Sequence, residues 1–184
     1  MIEAYVDGIP WSSLGIGIKR RDIPPLPETR DYTVQIAGRD GDVDFGSEYG
    51  SRIIEHECIL MADDATLDYQ AKVREIARIF DAKRGDRTIT YSDLPGKRYR
   101  ARYAGTLSIE KIIYDGMFQL PLKMHNPFPE SDEENIEELL ISQSPHTITI
   151  ESDGDLSASP IFVLTNIGSN TINGFMIKNE YKLE

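Results

Sequence analysis

Three histidines, one cysteine and a large excess of carboxylates are the side chains of this sequence that could move protons, attack electrophiles or hold metals. A nucleophile needs a base to activate it and a third group to orient that base. Neither a GxSxG elbow nor a Cys and His pairing in such a context is present around Cys58. His56, His125 and His146 lie outside any metal-ligand spacing. Asp40, Asp42 and Asp44 alternate on a Gly-rich stretch and could converge on a divalent cation, but a polar turn with Asx-type hydrogen bonds is the preferred reading. GIGIKR (15 to 20) is not a P-loop, and GRDGDVDFG (38 to 46) lacks the strand-to-helix setting of a nucleotide fingerprint. In a chain with 31 acids, a carboxylate pair does not by itself indicate glycoside chemistry. No catalytic residue, cofactor site or metal site is therefore expected.

A binding chemistry is more visible. Arg98, Arg100 and Arg102 alternate with Tyr99, Ala101 and Tyr103 after a Pro95-Gly96 turn, which is the pattern of a half-buried strand. Same-face neighbours on a strand sit about 6.6 Å apart, so each exposed pair repels by roughly 0.6 kcal/mol in water. Something anionic should face them. A cross-strand carboxylate such as Glu110 or Asp115 comes first, a neighbouring subunit second and nucleic acid third, because a nucleic-acid stripe normally accompanies a net basic domain.

The charge balance goes the other way. The chain of 184 residues has a net charge of -11, unevenly spread. Residues 1 to 129 are close to neutral, at -2, whereas 130 to 184 carry -9. The change begins at PESDEENIEE (129 to 138), read as a solvated linker or a first helical turn and not as an EF-hand, whose alternating ligands and central Gly it lacks. With one cysteine there is no internal disulfide, and a reducing cytoplasm is the expected place of synthesis. No apolar run approaches the ~20 residues a membrane helix needs, and MIEAYVDGIPW lacks the regions of a signal peptide.

Positioning elements follow from periodicity. Strands are expected at 2–6, 14–20, 31–36, 52–61, 87–91, 97–105, 106–113 and 116–124, with Pro121 marking an edge or a bulge in the last. Ile54, His56, Cys58 and Leu60 share one face of their strand, His56 as a structural residue. Prolines extend the chain over 22–28, and 38–52 reads as a Gly- and Asp-rich loop. One helix is expected over 67–84, with Tyr69, Val73, Ile76, Ala77 and Phe80 as its apolar stripe, Asp63, Asp64 or Thr66 as its cap and Gly85 past its end. It should cover one face of the sheet. Strand-like runs recur at 146–152, 159–166 and 173–181, too few to bury a core of their own.

In their order, these pieces resemble the distal tail proteins (Dit) of long-tailed bacteriophages. The resemblance rests on the helix at 67–85, YSDLPGKRYRARY (91 to 103), GMFQLPLKM (116 to 124), the close NPF (126 to 128), the GRDGDVDFG loop followed by Tyr49 and Arg52, and SPIFVLTNIGSNTINGFMIKN (159 to 179). It implies a mainly β fold: a ring-forming N-terminal β-sandwich with one amphipathic helix and a hairpin over 1–129, an acidic linker over 130–145, and the start of a galectin-like sandwich over 146–184. Members usually continue beyond the position of Glu184, so that second sandwich is expected to be partial.

The family further implies a homohexameric hub at the virion tail tip, made in the bacterial cytoplasm. It joins the tail tube protein to a tail-associated lysin and receptor-binding proteins, lets DNA pass without gripping it, has no membrane role and performs no catalysis. Arg98, Arg100, Arg102, Tyr99 and Tyr103 are then the candidate interface residues. The competing expectation is a stand-alone carbohydrate-binding sandwich, for which Trp11, Phe128 and Tyr181 are widely scattered.

Overall fold

Arg52–Leu60 (β6) is the strand around which the rest is arranged, and its alternation explains why. In the computed structural model, which describes residues 2–63, 67–112, 115–151, 154 and 159–180, its inward side chains Ile54, His56, Cys58 and Leu60 are all fully buried. Both of its edges are paired. On one side lies Ile16–Asp22 (β3), with a register shift between Ile18 and Arg20. On the other lie Asp115–Gln119 (β10) and Leu122–Met124 (β11), in one continuous register from Gly116 opposite Leu60 to Met124 opposite Arg52.

The run expected as one strand over 116–124 is thus divided at Leu120-Pro121. Leu120 N donates to His56 O at 2.9 Å, so the inner pairing continues through the break. What changes is the outer neighbour: β10 pairs with Glu110–Ile112 (β9), whereas β11 pairs with Lys97–Tyr103 (β8). Pro121 has no N–H to give at this fork, and its carbonyl accepts from Ala104 N at 3.1 Å. Only Glu110–Ile112 of the expected strand over 106–113 is a strand, with Ile113 outside the described residues.

The sheet continues from β8 to Arg87–Tyr91 (β7), Ala4–Val6 (β1) and Ile9–Pro10 (β2), all antiparallel. Glu130–Ser131 (β12) pairs with the start of β8. The curled sheet encloses one core that includes Val6, Trp11, Ile54, Ile89, Tyr99, Leu120 and Leu122. Leu67–Ile79 (α1) and a 3-10 turn at Trp11–Leu14 contribute Tyr69, Ile76, Trp11 and Leu14 to it. Trp11 meets Phe80 edge to face, ring centroids 5.5 Å apart.

The helix is shorter than its periodicity suggests. Asp81 leaves helical geometry, and its carboxylate accepts from Lys83 N at 3.0 Å, capping a separate 3-10 turn at Ala82–Arg84. Ala77 is exposed. At the other end Asp63 N donates to Asp68 Oδ2, while Asp64 and Thr66 lie outside the described residues. Gly15 links the 3-10 turn to β3 at φ 73°, and a Cβ there would sit 2.7 Å from Met61 O, so only glycine fits.

Thr29–Gln35 (β4) and Asp42–Tyr49 (β5) pair only with each other. The stretch 38–52, read above as a loop, is thus largely the second strand of a hairpin, turned at Gly38 and Gly41 with positive φ and bulged near Gly46.

The chain divides into two compact units, Met1–Glu137 and Glu138–Glu184. All the strands among the described residues belong to the first. Among the described residues of the second there is no strand or helix; the runs expected as strands over 146–152, 159–166 and 173–181 carry no ladder. Ile148, Ile150, Ile161, Phe162, Phe175 and Met176 are exposed there. Strands form by burying an apolar face against partners, and a unit this short has too little surface to provide them. The GSN turn is present, with Gly168 N donating to Asn166 Oδ1 at 3.0 Å. Tyr181 is outside the described residues.

Candidate functional site

The side chains best suited to chemistry are used to hold the sheet together. His56 Nδ1 donates to Leu120 O at 3.0 Å, which leaves Nε2 to accept from the Tyr91 hydroxyl at 2.7 Å. Burial, helped by the nearby Arg21 charge and opposed by the Leu120 hydrogen bond, pushes the His56 pKa down to about 4. The imidazole is therefore neutral at pH 7. Burial also pushes the Cys58 thiol up to about 12, which removes its nucleophilic thiolate.

Arg21, on β3, lies over the Tyr91 ring at 4.4 Å and grips Asp93 through two hydrogen bonds of 2.8 Å. That bidentate pair holds the Asp93 carboxyl below its usual range and raises the Arg21 pKa. β3 and β7 have no ladder between them, so this clamp joins two distant strands of the curled sheet through side chains alone. Among the described residues no group of three or more His, Cys, Asp or Glu is placed to hold a metal ion, Asp40, Asp42 and Asp44 included. A surface concavity of about 310 Å³ lined by Glu57, Ser108, Glu110, Met117, Phe118 and Gln119 contains no nucleophile and base pair, and Glu57 is tied to Lys19 at 3.3 Å.

The arginine ladder lies on the outer face of β8. Arg98 Nε donates to Glu130 Oε2 at 3.1 Å, from β12. Arg102 Nη2 donates to His125 Nε2 at 2.9 Å, with Asp86 3.9 Å from Arg102 Nε. The partners are therefore Glu130 and Asp86, not the Glu110 or Asp115 suggested by the sequence. Glu110 lies opposite Met117 on β10, and Asp115 opposite Ile112 on β9, away from β8. Arg100, opposite Thr88, is exposed and has no side-chain partner among the described residues. Tyr99 is 4% exposed and packs edge to face on Tyr91, so it belongs to the core and has no surface to offer another chain. Tyr103 is half-buried at the core margin. Trp11, fully buried against His56, is unavailable for stacking on a sugar.

The β4–β5 ribbon is the most unusual surface. Tyr32, Val34, Val43 and Phe45 share one of its faces, and Phe45 is 68% exposed. Asp31, Asp42 and Asp44 occupy the other. Among the described residues no other strand pairs with either edge.

The profile of the phage tail protein RIFT-related domain matches residues 12–124, the stretch from the 3-10 turn to the end of β11. The chain belongs to this family. No match was found among curated proteins. Among solved structures, the Dit protein of phage SPP1, described as a paradigm of the hub adsorption apparatus in phages infecting Gram-positive bacteria, is similar with a TM-score of 0.62 and 19% identity. The match covers 71% of this chain and 52% of that one, so the chain spans about half the length of the SPP1 protein. The fold is that of a Dit protein.

In this tail protein the motif residues quoted above come together for structural reasons. Tyr91 and Asp93 build the clamp, and Ser92 exchanges hydrogen bonds with Glu3. Phe128 of the NPF close packs edge to face on Tyr49 at 5.6 Å, at the base of the ribbon. Arg52, 7% exposed, donates to Pro25 O at 3.3 Å and fixes the proline segment that leads into β4. The first strand of the ribbon was expected at 31–36, and the second, which sequence reasoning read as a loop, had one signal: Val43 and Phe45 alternate with Asp42 and Asp44.

Proposed function

We propose that this tail protein is the distal hub of a long-tailed phage or prophage, six copies closing into a ring at the virion tail tip. The ring joins the tail tube protein to a tail-associated lysin and to receptor-binding proteins, and DNA leaves through its channel. Its role is structural, not enzymatic, and after an acidic linker over 130–145 the residues 146–184 begin a C-terminal galectin-like sandwich.

The observation that carries this reading is the ribbon. A two-stranded hairpin is marginal in water, and contiguous exposed apolar side chains mark interaction surfaces. Tyr32, Val34 and Phe45 are at least 48% exposed on an element with which no other strand among the described residues pairs. A ring closes through heterologous contacts, one surface meeting a different surface of the next copy, and a projecting arm suits that geometry. The near-neutral charge of residues 1 to 129 fits a channel wall that lets DNA slide.

Light scattering after size exclusion, with negative-stain imaging, tests it. The expected mass is six times the 20.8 kDa monomer, with annular particles. A monomer at every concentration that also forms no ring with purified tail tube protein would sink the proposal.

A further inference from the structure

We infer that the tip of the ribbon, Ile36 with Asp40 and Asp42, seats on the outer sheet face of the next copy of this chain, at Ile53, Lys123 and Arg100. The inference rests on the ring reading and specifies which surfaces meet. Ile53, Lys123 and Arg102 stand side by side on β6, β11 and β8, since Lys123 is opposite both of the others. They face outward, because Ile54, Leu122 and Ala101 point into the core. Ile53 is 41% exposed beside Lys123, and Arg100 lies on the same face of β8, two residues from Arg102; neither Lys123 nor Arg100 has a side-chain partner among the described residues. Glu55 follows Ile53 on the same face.

The tip is complementary in kind. Ile36 is 50% exposed, and Asp40 and Asp42 make no ion pair among the described residues. Arg39, the cation of the turn, matches Glu55. Thr29–Tyr49 as a whole carries five carboxylates and two arginines, so the arm is acidic where the patch is basic.

The contact must be made between copies. β5 ends at Tyr49, and β6 begins at Arg52, one residue before Ile53. A ribbon of seven residues per strand reaches roughly 24 Å. The tip therefore lies about that far from the patch of its own chain.

Charge reversal tests the assignment. Asp40→Lys with Asp42→Lys, or Arg100→Glu with Lys123→Glu, should each weaken association at least about tenfold, and the two sets combined in one chain should restore it to within about threefold. All four side chains lie outside the core, so melting of each variant should match the parent. As an independent readout, Ile36→Cys chains mixed with Ile53→Cys chains should form a disulfide-linked dimer under mild oxidation that neither forms alone; Cys58 is buried and inert. If the parent oligomerises but neither reversal changes its mass and no mixed dimer forms, the tip assignment is overturned while the ring reading stands. A parent that is monomeric throughout and gives no mixed dimer overturns both.

Discussion

His56 stays neutral inside the sheet because both ring nitrogens are answered, one by a carbonyl and one by a hydroxyl, and because a charge there would go unsolvated. This gives a signed dependence on pH. In the unfolded chain a histidine titrates near 6.5, whereas the folded pKa is about 4, so between these values the unfolded state binds more protons. The stability that His56 confers is complete above pH 6.5 and is lost as pH falls towards 4, up to about 3 kcal/mol. Asp93, held low by Arg21, adds a loss of the same sign in acid. Urea unfolding at pH 7 and pH 4.5 checks this, and the slope should flatten in His56→Gln. An equal slope in that variant would remove His56 as the source.

At the scale of elements, the ribbon and the body are separable. Replacing Arg30–Glu48 by a short Gly-Ser turn should leave the melting temperature within a few degrees, because β4 and β5 pair only with each other, while abolishing the oligomer. Circular dichroism and light scattering on the same sample read both outcomes; a collapse of the fold would mean that the ribbon supports the core.

The elements that were legible in sequence are those whose pattern is local. The alternation of Arg52–Leu60 and of Lys97–Tyr103 named their buried faces directly. The second strand of the ribbon was hidden because its glycines, needed for positive φ at the turn and bulge, look like a loop when Val43 and Phe45 are read without their partners on β4. Asp81 ended the helix early because a capping carboxylate outweighs a continuing apolar period. The anions facing Arg98 and Arg102 were out of reach for a different reason. Glu130 is 32 residues from Arg98 in sequence and meets it only because β12 returns to β8. Cross-strand pairing is a property of topology, and topology is not periodic.

For the whole molecule, everything that builds the core lies within Met1–Glu137. A chain ended after Glu137 should fold alone, melting within a few degrees of the full protein by scanning calorimetry. A drop of more than about 10 °C would show that Glu138–Glu184 stabilises the core. Removing this unit takes away about four of the eleven net negative charges, so the shortened protein keeps a net charge of about -7 and should stay soluble.

The placement of β6 also has a kinetic consequence. Its partners are β3, about forty residues earlier, and β10 and β11, about sixty residues later. Closing such long loops before any contact repays the entropy slows folding into the millisecond-to-second range typical of non-local β topologies. During synthesis β6 can find β3 early but must wait for residue 124 to emerge from the ribosome before its second edge is covered. Until then the newly made chain exposes an unpaired strand edge, the kind of surface through which partly folded chains associate wrongly.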